Sequence, residues 1–203
     1  MQKPDYRLIP LFDLFLIIIA VLFVVVMLMR IEEEEADITS KIEFMITTTW
    51  PTDNPCDVDS WLKDPNGKIC WYQQRDVGAM HLDRDDLGNA NDIYYLPNDK
   101  TIVYPYNQEL TSIRACIPGI WTFNVHMFRE RANGAGALVE VKIEKINPDV
   151  EMVHFGTHYL TAQWEEQTVM HFELDEDCEY VPMGNEYEKI ATQMQYRPQF
   201  NER

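Results

Sequence analysis

The longest apolar run of the chain covers residues 8–29, and apolar side chains surround the whole circumference of the helix that it predicts. A helix of this length extends about 33 Å, enough to cross a bilayer core of about 30 Å. We therefore expect a transmembrane helix over residues 8–29, preceded by a leader of residues 1–7. A cleaved signal peptide is the competing interpretation. It is disfavoured because the run exceeds the usual length of about 7–15 residues and because Arg30-Ile31-Glu32-Glu33, not a run of small residues, follows it.

After an acidic linker at residues 30–40, the pattern changes to the two-residue alternation of half-buried strands. The alternating apolar sets are Ile42, Phe44 and Ile46; Trp121, Phe123, Val125 and Met127; Val139, Val141 and Ile143; and Met170, Phe172 and Leu174. The turn sequence Asp64-Pro65-Asn66-Gly67 predicts a hairpin between two further strands. Seven to nine short strands predict a mainly β chain with a β-sandwich at residues 41–181. A polar tail follows at residues 182–203, either as a short helix from Glu186 to Gln195 or without regular structure.

The formal net charge of −17 disfavours contact with phosphate backbones, so we expect no nucleic-acid partner. Lys3 and Arg7 precede the apolar run, and four glutamates at residues 32–35 follow it. This asymmetry predicts a cytoplasmic N-terminus, with the bulk of the chain outside the cytoplasmic membrane.

Four cysteines lie beyond the apolar run, and their spacing matches no zinc pattern: Cys56, Cys70, Cys116 and Cys178. An even number suits disulfides in an oxidising compartment, with three possible connectivities, whereas four buried free thiols are the alternative.

Asp13 lies one to two turns inside the apolar run, where an ionised side chain costs about 2.5–3.5 kcal/mol. Its neighbours three and four positions away are all apolar, so compensation must come from another chain or from water. A carboxyl that is protonated near neutral pH has the property that a proton carrier needs. The alternative is an acid that reaches the head-group boundary.

The segment Pro10-Leu11-Phe12-Asp13-Leu14-Phe15-Leu16-Ile17-Ile18-Ile19, within residues 6–30, resembles the transmembrane segment of the TolR/ExbD family and the related MotB-like stator subunits. The resemblance implies a homodimer inside a pentameric, polytopic TolQ/ExbB/MotA-like partner in the bacterial inner membrane, driven by the proton motive force. Asp13 would be the proton-relay residue, and Pro10 would set the helix entry. The small mixed α/β domain usual in that family is not evident here.

The β region resembles the accessory β-sandwich of YfaP-like bacterial proteins, through Asp57-Val58-Asp59, the Asp64–Gly67 turn and a later Asp-rich loop. Five acidic residues could gather oxygen ligands for calcium at one end of the sandwich: Asp57, Asp59, Asp83, Asp85 and Asp86. The alternative is that these side chains only accept hydrogen bonds in turns. Calcium is the one cofactor that we consider.

Catalytic motifs are not evident, and we do not expect an enzyme. His154 and His158 have the spacing of a helical metal pair, but their surroundings predict a strand, which favours surface histidines. The leading hypothesis is an ion-driven motor subunit that couples ion flow through Asp13 to movement of the β domain, whose envelope partner is unknown. The alternative is a membrane-anchored envelope module for ligand binding or adhesion.

Overall fold

The computed structural model of the protein describes residues 9–36, 41–97 and 99–191, with the backbone alone at residues 9, 11 and 26–36. The chain divides into two compact units, residues 1–40 and residues 41–203, and we call the second unit the β domain. The mainly β character predicted from the sequence is confirmed.

Helix α1 spans Ile9–Ala36. The first residues of the predicted linker at 30–40 are therefore helical, because the acidic segment continues the helix without a Pro or Gly to interrupt it. Within the part of the chain that the structure describes, no helix combines the length and the apolar character that crossing a membrane requires. The predicted leader and residues 37–40 lie outside the described residues.

The described residues of the β domain contain thirteen strands: β1 (Phe44–Thr49), β2 (Asp57–Lys63), β3 (Ile69–Cys70), β4 (Asp76–Val77), β5 (Met80–Arg84), β6 (Ile93–Leu96), β7 (Lys100–Val103), β8 (Gln108–Ile113), β9 (Gly119–Arg129), β10 (Ala137–Lys145), β11 (Glu151–Leu160), β12 (Glu166–Leu174) and β13 (Tyr180–Gly184). A six-stranded sheet has the order β11-β10-β1-β8-β5-β4, and a five-stranded sheet has the order β13-β12-β9-β2-β3. Strands β6 and β7 form a separate hairpin with an exposed surface.

One hydrophobic core is shared by the two sheets. Phe44 and Val141 contribute to it from the six-stranded sheet, and Trp121, Phe123 and Phe172 contribute from the five-stranded sheet; all five are fully buried. Burying a side chain of this size stabilises a fold by about 1.5–3 kcal/mol. The alternation seen in the sequence therefore identified the inward faces of β1, β9 and β10.

Strand β12 departs from the predicted alternation at one point. Its pairing with β9 shifts register between Thr168 and Met170. The extra residue turns Val169 into the core and leaves Met170 only partly buried, whereas Phe172 and Leu174 are buried as predicted.

The turn between β2 and β3 has the predicted geometry. Lys63 pairs with Ile69, the Gly67 amide donates to the Asp64 carbonyl, and Gly67 has a φ of 80°. Glycine adopts this left-handed conformation without steric cost, which explains the residue at this position.

The predicted polar tail is partly ordered against the domain. β13 extends to Gly184, and Ile190 is fully buried beside Trp61 and Trp71. No helix forms at residues 186–191, and residues 192–203 lie outside the described residues.

Candidate functional site

Strand β2 carries two buried acidic residues because both of its faces are covered. Val58 and Leu62 face the shared core, and Trp61 packs into a second cluster with Trp71 and Ile190. Its partner β3 pairs only with Leu62 and Lys63, so the first residues of β2 have no partner strand on that edge among the described residues.

Glu109 of β8 accepts a hydrogen bond from the backbone at this open edge of β2. The Ser60 amide donates to Glu109 Oε2 at 2.6 Å, so a side chain of the six-stranded sheet binds the backbone of the five-stranded sheet. Glu109 is fully buried, and its second oxygen, Oε1, has no hydrogen-bond partner. A buried polar atom without a partner costs about 1–3 kcal/mol, so this oxygen calls for a proton or a cation.

Four carboxyl groups meet at this edge, and we call them the carboxyl cluster: Asp57, Asp59, Asp85 and Glu109. Oxygens of Asp59, Asp85 and Glu109 lie within 4.8 Å of one another. One oxygen on each of these three groups is buried without a hydrogen-bond partner, as is Oδ1 of Asp57. Carboxylate oxygens around a Ca²⁺ ion at about 2.3–2.6 Å would have separations in this range.

Burial dominates the electrostatics of the carboxyl cluster. It raises the pKa of Asp57 to about 7, with a further increase from Asp59, although Arg131 acts against it. It raises the pKa of Asp59 to about 6, opposed by His126. The pKa values of Asp85 and Glu109 are also raised, chiefly by burial. The cluster can therefore hold protons near neutral pH or exchange them for a divalent cation.

Two of the five predicted calcium ligands lie outside this cluster. Asp83 pairs with Arg114 at 3.1 Å on the surface. Asp86 is buried, but its oxygens accept hydrogen bonds from Arg84 at 2.8 Å and from the Gly88 amide at 3.0 Å. These local contacts explain why the Asp-rich loop contributes Asp85 alone to the cluster.

Sequence reasoning missed Glu109. The available signal was its position on β8, where Glu109, Thr111 and Ile113 alternate on the buried side of the strand. A glutamate at an inward position of a strand is rarely buried without a function or a partner.

His126 separates the carboxyl cluster from a neighbouring pocket. It lies opposite Asp59 in the pairing of β2 with β9, with 3.6 Å between its Nδ1 and Asp59 Oδ2. The centroid of its ring lies 6.0 Å from that of Trp61 and 5.9 Å from that of Trp164.

The pocket beyond His126 has a volume of about 140 Å³, and we call it the aromatic pocket. Four large aromatic side chains line it: Trp61, Tyr72, Phe128 and Trp164. Among the described residues, His126, Glu166 and Lys189 are the polar ones that line it, and Ala191 lines it as well.

Two chain segments outside the regular strands shape the aromatic pocket. Trp164 lies in the turn before β12 at a φ of 69°, held by a hydrogen bond from its amide to the Met127 carbonyl at 2.7 Å. The segment after β13 lies along the other side, where Asn124 Nδ2 donates to the Glu188 carbonyl at 2.6 Å.

Glu166 joins the aromatic pocket to that segment. Its Oε1 accepts hydrogen bonds from Asn124 Nδ2 at 2.7 Å, from the Ile190 amide at 2.8 Å and from the Ala191 amide at 3.0 Å. Its Oε2 is buried and has no hydrogen-bond partner. Sequence reasoning also missed this site, because its walls come from distant segments without a shared motif.

The four cysteines divide into two classes. Cys116 and Cys178 form a disulfide with a Cα–Cα distance of 5.4 Å. Cys56 and Cys70 are buried free thiols. Both alternatives drawn from the sequence therefore apply, each to one pair.

Asp13 and Pro10 both lie near the start of α1, and both are exposed. Pro10 is the second helical residue, a position where its missing amide donor costs no helical hydrogen bond. His154 and His158 lie on β11, on either side of Gly156, as the predicted strand required.

The resemblances to the TolR/ExbD and YfaP-like families stay predictions from the sequence. Comparison of the chain with protein-family models, with curated proteins and with solved structures found no match.

Proposed function

We propose that this chain is a subunit of a proton-motive-force-driven membrane motor, with a single transmembrane helix at residues 8–29 and an extracytoplasmic β-sandwich. The apolar run that predicts this helix includes residues whose side chains the structure does not describe. The large apolar side chains from Phe12 to Val25 are 43–66 % exposed in the chain. Exposed apolar surface of this extent favours an environment of lipid or of a second protein.

Asp13 is the observation that carries this proposal. It lies near the N-terminal end of that exposed apolar surface, and the side chains of Pro10, Leu16 and Ile17, three and four positions away, offer it no hydrogen bond or charge. An acid placed so in a membrane is costly and marks an ion pathway. A second protein must line the ion pathway beside Asp13. We propose a polytopic TolQ/ExbB/MotA-like partner in five copies around two copies of this chain.

The energy available to such a carboxyl suits a motor. One charge that crosses a potential of 100 mV releases about 2.3 kcal/mol. Protonation and release at Asp13 would bias a step of the helix, and the β domain would transmit that step outside the cytoplasm.

Substitution of Asp13 tests the proposal. We expect Asp13→Asn to preserve assembly with the polytopic partner and to lower proton flux at least tenfold, because the amide cannot carry a proton. Asp13→Glu should keep a measurable part of the flux. Native mass spectrometry of the complex purified from the source membranes gives the stoichiometry, and a pH-sensitive dye in reconstituted vesicles gives the flux.

Leu14→Asn is the matched control, because it adds the same amide at the adjacent position and leaves Asp13 in place. We expect it to retain flux. Undiminished flux through Asp13→Asn, or a chain that purifies as a monomer, would contradict the motor function.

Calcium is our proposal for the carboxyl cluster. Three buried oxygens without hydrogen-bond partners, on Asp59, Asp85 and Glu109, support it. An ion there would bridge the two sheets at the open edge of β2 and stiffen the β domain.

A membrane-anchored ligand-binding module without motor activity is the second candidate function. The aromatic pocket favours it, because concave sites with aromatic walls and few polar groups are typical ligand sites. A complex that conducts no protons while the pocket binds a ligand would select this function.

A further inference from the structure

We infer that a neutral polysaccharide binds across the outer face of the six-stranded sheet. This site is separate from the carboxyl cluster and from the aromatic pocket, and the inference does not depend on the motor function.

A row of polar side chains crosses four neighbouring strands on this outer face, and we call it the polar row. It consists of Gln108 of β8, Thr49 of β1, Glu140 of β10 and Thr157 of β11, each opposite the next in the strand pairing. All four residues are exposed or half-buried. Neighbouring strands are about 4.8 Å apart, so the polar row is about 14 Å long.

The surface is concave along the polar row. Three adjoining depressions have volumes of about 200, 250 and 260 Å³, and Thr49 lines all three. Tyr104 and Tyr106 line the first of them, and Phe155 lines the third. The resulting groove is elongated, a shape that suits a chain of rings better than one small molecule.

Exposed aromatic rings stand at both ends of the groove. Tyr106 is 56 % exposed at the β8 end, and Phe155 is 57 % exposed on β11. The Tyr104 ring supports Tyr106 from one side at a centroid distance of 4.8 Å, and the Arg84 guanidinium lies 4.8 Å from the centroid of Tyr104. The faces of sugar rings carry C–H groups, which pack on the negative faces of aromatic rings.

Between the aromatic ends, the groove presents hydroxyl, amide and carboxylate groups. Threonine hydroxyls and the glutamine amide both donate and accept hydrogen bonds, as the hydroxyls of sugars do. Within the described part of the chain, no hydrogen bond engages the side chains of Thr49, Gln108 or Thr157. These groups are therefore available to a polyhydroxyl ligand.

A peptide would find few partners on this face. Strands β1, β8 and β10 each have a paired strand on both sides, so their backbone groups are used within the sheet. A peptide that adds to a sheet depends on backbone hydrogen bonds at an open edge. A sugar chain can be recognised by side chains alone, which is what the groove offers.

The charges of the groove favour a neutral polysaccharide over an acidic one. Lys142 lines the third depression, but its Nζ is paired with Glu144 at 3.0 Å. Glu140 adds a negative charge to the polar row, and the chain has a net charge of −17. An acidic polysaccharide would therefore be repelled.

Calorimetric titration of the full chain, in a detergent without a sugar head group, tests the inference. The neutral probes are the hexasaccharides of cellulose, chitin and starch, each compared with its monosaccharide. A galacturonic acid hexamer is the acidic probe, and a lysine-rich decapeptide tests attraction by net charge alone. We expect at least one neutral hexasaccharide to bind about tenfold more tightly than its monosaccharide, and the acidic hexamer not to bind.

Two variants locate the binding site. Tyr106→Ala should weaken binding of that hexasaccharide about tenfold, because it removes an aromatic face. Thr49→Val should weaken binding about fivefold, because it removes one hydroxyl and keeps the branched shape. The matched controls are Tyr187→Ala and Thr101→Val, which make the same changes at exposed positions outside the groove and should bind within twofold of the unmodified chain. Thermal melting confirms that each variant is folded.

The inference would be overturned if none of the neutral hexasaccharides bound, or if the decapeptide or the acidic hexamer bound instead. Unchanged affinity in folded Tyr106→Ala and Thr49→Val variants would also overturn it. The outcome is separable from the motor test. Hexasaccharide binding without proton flux would reject the motor alone, and flux without hexasaccharide binding would reject this inference alone.

Discussion

Calcium at millimolar concentration should raise the melting temperature of the protein by about 5–10 °C at pH 8 relative to a chelator. The reason is that Asp59, Asp85 and Glu109 have oxygens within 4.8 Å of one another, and each residue has a buried oxygen without a hydrogen-bond partner. A ligand at 100 times its dissociation constant stabilises the native state by about 2.7 kcal/mol, and each kcal/mol shifts the melting temperature of a domain of this size by about 2–4 °C. Thermal melting followed by circular dichroism measures the difference.

Without calcium, the carboxyl cluster should lose its contribution to stability as the pH rises from about 4 to about 7. Burial raises the pKa of Asp57 to about 7 and of Asp59 to about 6, and it raises that of Glu109 well above its ordinary value. The native state then binds protons that the unfolded state releases, so this stabilisation is complete below the ordinary pKa and is lost as the pH rises through the raised values. The lowered pKa values of His154 and His158 act in the opposite direction, but only up to about pH 6.5.

Glu109→Gln should abolish the calcium effect and reduce the loss of stability with rising pH. The side-chain amide oxygen of the glutamine can still accept a hydrogen bond from the Ser60 backbone amide, so the contact between the sheets is kept. Asp83→Asn is the control, because Asp83 pairs with Arg114 on the surface, where an ion pair contributes about 0–1 kcal/mol. Identical melting curves with calcium and with chelator would contradict calcium binding. If Asp83→Asn abolished the calcium effect as Glu109→Gln does, the carboxyl cluster would be rejected as the site.

The strands could be predicted because their inward residues repeat every second position and their turns have specific residues. Trp121, Phe123 and Val125 show the first signal, and Gly67 shows the second. The order of strands in the sheets could not be predicted. β9 lies between β12 and β2, and that choice depends on long-range packing that leaves no local mark.

The carboxyl cluster shows the same limit. Asp57 and Asp59 were identified from a local motif, and Asp85 from an acidic loop. Glu109 reaches them only because β8 lies beside β5 while its side chain crosses to β2. Asp86 lies outside the cluster and accepts a hydrogen bond from Arg84 and two from backbone amides, and such local contacts cannot be seen in composition.

The aromatic pocket was still less accessible to sequence reasoning. Trp61 and Phe128 lie on paired strands, but Trp164 comes from a turn and Lys189 from a segment predicted as tail. That segment is fixed by hydrogen bonds to Glu166 and Asn124, not by a periodic apolar face. A docked segment of this kind has no hydrophobic period for a sequence pattern to detect.

Removal of the disulfide should be among the most destabilising changes in the β domain. Cys116 and Cys178 are 62 residues apart, and a link across a loop of this length contributes about 4 kcal/mol by restricting the unfolded chain. The double variant Cys116→Ser/Cys178→Ser should therefore melt about 10 °C lower, on the basis of about 2–4 °C per kcal/mol. Reduction of the unmodified protein should give the same decrease, and the double variant should not respond to reductant.

The same pair tests the proposed location, because structural disulfides persist in oxidising compartments. The protein is extracted from source membranes and denatured in the presence of a thiol-blocking reagent. We expect two thiols, those of Cys56 and Cys70, to react with this reagent, and two more to become reactive only after reduction. Mass spectrometry identifies the labelled cysteines. Four thiols that react before reduction would place the β domain in a reducing compartment. A double variant Cys116→Ser/Cys178→Ser as stable as the unmodified protein would show that the disulfide does not contribute to the stability of the fold.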